Sequence, residues 1–129
     1  MSALPHAAAA LAFALGTVLW SPVRAGTALD EAWADVQRHR GDAACSSDSQ
    51  CRTIGVGSKA CGGPSGYLAW SSAQDDGASL AAAVQHHATL ARAAHKATGR
   101  VSNCAVEPDP GAVCKAGADN KKRCELQAR

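Results

Sequence analysis

Large apolar side chains are scarce in this sequence, neither sign of charge is in excess, and the short motifs of common catalytic or nucleotide-binding sites are missing. Thirteen lysines and arginines face eleven aspartates and glutamates, a formal charge of +2. A charge so near zero gives no electrostatic reason to expect nucleic acid or an anionic membrane as partner. No Cys-x2-Cys pair occurs and no histidine stands beside a cysteine at zinc-finger spacing, which argues against a metal site. Gly55-x-Gly57-Ser58-Lys59 has the outline of a phosphate loop, but Walker A needs Gly-x4-Gly-Lys followed by Ser or Thr, and here Ala60 and Cys61 follow Lys59. A Gly-Gly-Pro turn comes next and not a helix, so these glycines read as turn formers.

The histidines point the same way. A metal pair on one helix face would need a second histidine four residues after His86 or His87, and Leu90 and Ala91 stand there. His86 and His95 face about 180° apart at 100° per residue. His87 falls in an apolar stripe and reads as a hydrogen-bonded core residue. Ser71 or Ser72 could be paired with a histidine as nucleophile and base, yet no Gly-x-Ser-x-Gly elbow is present. Asp75 and Asp76 read as a helix cap. The expectation is a protein that is not an enzyme and takes no cofactor and no metal.

What the sequence does contain begins with an apolar run over residues 7–20, followed by Ser21-Pro22 and the small-residue pattern Val23-Arg24-Ala25. Spanning a bilayer takes about 20 apolar residues, so this run is too short for an anchor and has the form of a secretory signal. Residues 1–25 are therefore read as a signal peptide and residues 26–129 as one exported domain, periplasmic or secreted. No cysteine follows the cleavage site for lipid attachment, so no membrane anchor is expected after cleavage.

Residues 26–129 contain only fifteen Leu, Ile, Val, Trp and Tyr side chains. Burying one gains roughly 1.5–3 kcal/mol, while ordering each residue costs about 1–2 kcal/mol, and alanine buries little. Six cysteines supply the missing stabilisation: Cys45, Cys51, Cys61, Cys104, Cys114 and Cys124. An even number behind an export signal reads as a disulfide framework. Fifteen pairings are open. Three cysteines fall within 45–61 and three within 104–124, so at least one bridge must join the two groups.

Between the groups, Leu80, Val84, His87, Ala91, Ala94 and Thr98 recur at steps of three and four, with Gln85, Thr89, Arg92 and Lys96 opposite. This predicts an amphipathic helix over Ala78–Thr98, stopped by Gly99. A first helix is predicted from Thr27 as cap to Gly41, with Asp30 and Glu31 in its first turn and Leu29, Trp33, Val36 and Arg40 on one face. Residues 50–56 and 67–71 read as strands, and 112–115 and 123–127 as a hairpin. The expected fold is α+β: a small disulfide-stapled domain with two helices against a short antiparallel sheet.

Cys45-x2-Asp48-x-Gln50-Cys51, then Ala60-Cys61-Gly62-Gly63-Pro64-x2-Tyr67-Leu68-x-Trp70-Ser71, and finally Pro110-Gly111-Ala112-x-Cys114 with Cys124 resemble a group of small exported six-cysteine bacterial proteins without assigned function. Residues 118–122 look like an insertion relative to that group. The resemblance implies a single disulfide domain and brings no activity. The candidate contact surface is the pair of disulfide-anchored loops over residues 58–66 and 117–123, the second with Lys121-Lys122-Arg123 beside Cys124 as a basic loop that an extracytoplasmic protein could engage. The alternative is a charged turn that only keeps the chain soluble, and Gln85, Arg92 and Lys96 read as ordinary solvated helix residues. A binding or inhibitor-like module is the favoured reading, a structural or envelope-associated protein the alternative, and a small enzyme the third. The export reading predicts that mass spectrometry of the exported protein finds Gly26 at the amino terminus; an intact Met1 in a cytoplasmic fraction would reject it.

Overall fold

The computed structural model describes residues 25–128; the predicted signal peptide lies almost wholly outside them. Helix α1 spans Ala25–Arg40, β1 Cys51–Val56, β2 Gly66–Ser71, α2 Ala78–Thr98, β3 Ala112–Ala116 and β4 Lys122–Leu126, with a 3-10 turn over Asp48–Gln50. The α+β class holds, but the strands form two two-stranded ladders, β1 with β2 and β3 with β4, both antiparallel. A single bridge, Ala44 to Arg123, extends the second ladder.

Helix α1 begins before the expected cap. Ala25 and Gly26 are already helical, so Thr27 lies inside the first turn and no acidic residue does; Asp30 and Glu31 follow in the second. The predicted face is real: Val36 is fully buried, Leu29 and Trp33 half-buried, and Arg40 donates from Nε to the Ala69 carbonyl at 2.8 Å.

Helix α2 has the predicted limits, and its buried side chains are Leu80, Ala83, Val84, Ala88 and Ala91. Thr98, expected on that stripe, is exposed and borders an open hollow that it shares with Leu29 of α1. The helix opens on Gly77 at φ +83. A Cβ there would come within 3.0 Å of Trp70 Cζ2, so glycine is needed both for the backbone conformation and for the indole packed over it. Asp75 and Asp76, expected to cap the helix, stand just before it: the cap position is Gly77, without a side-chain cap hydrogen bond. The two carboxylates accept from the Gly77 and Ala78 N–H groups at 2.8 and 2.9 Å in turns that lead into the helix. The Ala78 bond holds the Asp76 carboxyl below its usual pKa.

Two small cores result. One packs Val36, Val56, Leu80, Ala83 and Val84 with Trp33, Ile54, Leu68 and Trp70 around them. The other contains no large aliphatic residue: Ala43, Cys51, Ala69 and Cys124 are buried, with Cys45, Ala112 and Cys114 against them. All three disulfides cross between the cysteine groups, Cys45–Cys114, Cys51–Cys124 and Cys61–Cys104. The Asp48 carboxylate adds a tie by accepting from the Cys114 N–H at 2.7 Å.

Loops of 43 to 73 residues give each bridge, taken alone, about 4 kcal/mol on the chain-entropy argument. Burial separates them: Cys124 has no exposed surface, whereas Cys61 and Cys104 are exposed. Replacing Cys51 and Cys124 together by alanine is expected to abolish cooperative unfolding at 37 °C, through lost constraint plus an emptied core. The pair Cys61→Ser/Cys104→Ser should leave a cooperative transition at lower temperature. Thermal melts followed by circular dichroism decide this, and equal losses would refute the two-core description.

His87 packs against Trp33, with ring centroids 5.2 Å apart and planes inclined by 50°. Its Nδ1 is buried without a hydrogen-bond partner, so the expected hydrogen-bonded histidine is a stacked one. Burial, and after it the neighbouring His86, hold its pKa below the ordinary value. The unfolded chain, with a value of about 6.5, then binds the proton more readily than the folded one. Stability from this site is present above that pH and is lost as pH falls from there through the folded pKa. Melting temperature should therefore drop between about pH 7 and pH 5, with a shallower drop in His87→Leu; identical slopes would contradict it.

Candidate functional site

One end of the molecule gathers three segments: the last turn of α2, the turn over residues 57–65, and residues 99–111, which contain no helix or strand. Gly99, at φ +62, leads the chain out of the helix, and the Arg100 N–H donates back to the His95 carbonyl at 3.0 Å. The 57–65 turn closes on itself. The Lys59 N–H donates to the Gly63 carbonyl and the Gly62 N–H to the Lys59 carbonyl, both at 3.0 Å. The Lys59 amide is thus used inside the turn and not held out to a ligand.

Segment 99–111 is fastened to the β1–β2 hairpin at four points. The Cys61–Cys104 disulfide joins the two loops. Lys59 crosses the same gap, donating from Nζ to the Ala105 carbonyl at 2.5 Å and facing the Glu107 carboxylate at 3.7 Å. Tyr67 donates its hydroxyl proton to the Glu107 carbonyl at 3.2 Å, and Thr53 Oγ1 donates to Asp109 Oδ2 at 2.6 Å. From the helix side, His95 Nε2 donates to the carbonyl of buried Ser58 at 2.7 Å. Val101 and Val106, counted in the sequence among core candidates, are instead 90% and 88% exposed, because their segment runs over the surface.

Between the loops and the helix lies a depression of about 450 Å³ lined by Lys59, Arg92, His95, Lys96 and Arg100. His95 and Arg100 also line two further hollows, one beside Leu29 and one beside Ser58 and Ser65. No acidic side chain lines any of the three. Among the described residues, no carboxylate comes within ion-pair distance of Arg92, Lys96 or Arg100.

The basic loop singled out from sequence lies at the β3–β4 turn. Lys121 and Lys122 are exposed, but Arg123 is held by Asp119, whose two oxygens accept from its Nη atoms at 3.1 and 2.6 Å. The pairing lowers the Asp119 pKa and raises that of Arg123. The structure does not bring this loop to the depression's lining. Arg92 and Lys96, read as ordinary solvated residues, do line it. A sequence signal for the depression exists: residues 77–106 contain no Asp or Glu, and Arg92, Lys96 and Arg100 follow one another at steps of four.

Other chemistry tested from sequence falls differently. The Ser72 hydroxyl donates to the Gln50 carbonyl at 3.1 Å, and buried Ser71 accepts from the Ala73 N–H at 3.3 Å. Among the described residues, no serine hydroxyl meets a histidine ring. The sulfurs of Cys45, Cys51 and Cys124 lie within 4.8 Å of one another, but each is in a disulfide and has no thiolate for a metal. No helix among the described residues is long and apolar enough to cross a membrane.

Compared with known proteins, the chain matches no family model, no curated protein sequence and no solved structure.

Proposed function

We propose that this chain is an exported, non-enzymatic binding module that recognises an extracytoplasmic partner through the loop surface built by residues 57–65 and 99–111. Disulfides persist in oxidising compartments, and three of them fit the signal-like run over residues 7–20 and the resemblance to exported six-cysteine proteins.

The observation that carries the reading is the state of segment 99–111. Connections of a dozen or more residues without secondary structure are uncommon in compact domains and are usually functional or disordered. Here the segment is fastened by a disulfide and by hydrogen bonds from Lys59, Tyr67 and Thr53, while Val101 and Val106 face solvent. Fastening a loop before it meets a partner lowers the ordering cost of binding, and loops on a rigid scaffold are where recognition is concentrated.

Val101→Asp/Val106→Asp is the test. Such exposed substitutions should change stability by less than about 0.5 kcal/mol, leaving the melting temperature nearly unchanged. Crosslinking to envelope extracts should recover a partner with the wild-type protein and lose it with this variant. Recovery of the same partner by both proteins would remove the loop surface from the function.

A further inference from the structure

We infer that the depression at the carboxy-terminal end of α2 is a binding site for a phosphate group, held by Arg92, Lys96 and Arg100 against a wall made by Lys59 and His95. This deepens the binding-module reading and rests on it only for the expectation that the protein has a ligand.

Arg92, Lys96 and Arg100 are spaced by four, so within the helix Arg92 and Lys96 are neighbours of like charge, an arrangement that weakens a helix. Cations near a helix carboxy terminus are favoured by the dipole, which accounts for some of this. It does not account for the absence of Asp and Glu throughout residues 77–106, nor for the meeting of helix, turn and segment around one concavity. Lys59 is offset by Glu107; Arg92, Lys96 and Arg100 have no carboxylate within ion-pair distance among the described residues. Three uncompensated cations around one concavity match a group bearing two or more negative charges better than a single carboxylate. Guanidinium forks suit phosphate oxygens in geometry as well as charge. The wall is also rigid: His95 is fixed on the Ser58 carbonyl, and the turn bearing Lys59 is fixed by the Cys61–Cys104 bridge.

A phosphate group can come from a soluble ester or from a lipid headgroup, and the experiment separates them. Calorimetric titration of the oxidised protein with inorganic pyrophosphate at low salt should show saturable binding. Arg92→Ala/Lys96→Ala/Arg100→Ala should weaken it at least tenfold. The comparison variant is Lys121→Ala/Lys122→Ala/Arg123→Ala, which removes the same net charge from the β3–β4 turn, outside the lining of the depression, and should bind as wild type. Arg100→Gln alone should weaken binding several-fold if the triple variant fails to fold. Co-sedimentation with phosphatidylcholine vesicles, with and without phosphatidylglycerol, identifies a lipid source if association needs the anionic lipid and pyrophosphate competes. A soluble source is indicated if pyrophosphate binds and vesicles do not.

Absence of binding to both pyrophosphate and anionic vesicles, or equal weakening in the two triple variants, would overturn the site. The outcome is separable from the loop proposal. Phosphate binding by the wild-type protein that survives Val101→Ser/Val106→Ser, which adds no charge beside Arg100 and Lys59, supports the depression even if Val101→Asp/Val106→Asp leaves partner recovery unchanged. Loss of partner in Val101→Asp/Val106→Asp, with no phosphate binding by the wild-type protein, leaves the loops and removes the depression.

Discussion

Half of this molecule is held together by sulfur in place of hydrocarbon. The β1–β2 and β3–β4 ladders have two strands each, and isolated two-stranded hairpins are marginal in water. What lies between them is Ala43, Ala69 and the cystines Cys51–Cys124 and Cys45–Cys114. A disulfide limits the unfolded chain whatever the packing around it, and its sulfurs also fill space that alanine cannot. Cys124, without exposed surface, does both.

With the hairpins secured in this way, the aliphatic side chains serve a second, separate core against the helices. Leu80, Val84 and Val36 form its centre, and buried alanines on α2 permit a close approach to α1. Arg40 links the two cores, since it leaves the end of α1 to reach the carbonyl of Ala69, a member of the sulfur-rich core. At the carboxy-terminal turn of α2 the partners are loops and the first turns of α1 and not a core layer: His95 is fixed on the Ser58 carbonyl, Thr98 stays exposed, and a concavity opens beside His95 and Arg100.

Local features of the fold were legible in the residues because local physics decides them. The period of α2 and its Gly99 stop appear where the pattern puts them, and the strands shift by a residue at most, while the cap falls on Gly77 and not on the aspartates before it. Thr27 does not cap α1, since Ala25 and Gly26 ahead of it are already helical. The division into two ladders and the pairing of cysteines were not legible. Both depend on which distant segments meet, and spacing along the chain carries no information about that beyond the parity argument for one crossing bridge. Ala43 and Ala69 were missed as core residues because their burial reflects neighbours, not their own hydrophobicity.

The charge pattern was missed for a related reason. Summed over the chain, thirteen basic and eleven acidic residues nearly cancel, and on that sum an anionic partner looks unmotivated. The sum hides a segregation: acids cluster before residue 49, at Asp75 and Asp76, and after residue 106, leaving the whole of α2 without one. Screening confines the interaction of exposed charges to about 8–10 Å at ordinary ionic strength. At the proposed site a ligand at the end of α2 responds to Arg92, Lys96 and Arg100, with the nearby Glu107 offset by Lys59, and hardly to more distant carboxylates. For an open site of this kind, the local charge within a screening length determines what binds, and that quantity depends on the fold that brings Lys59 and His95 alongside the three cations.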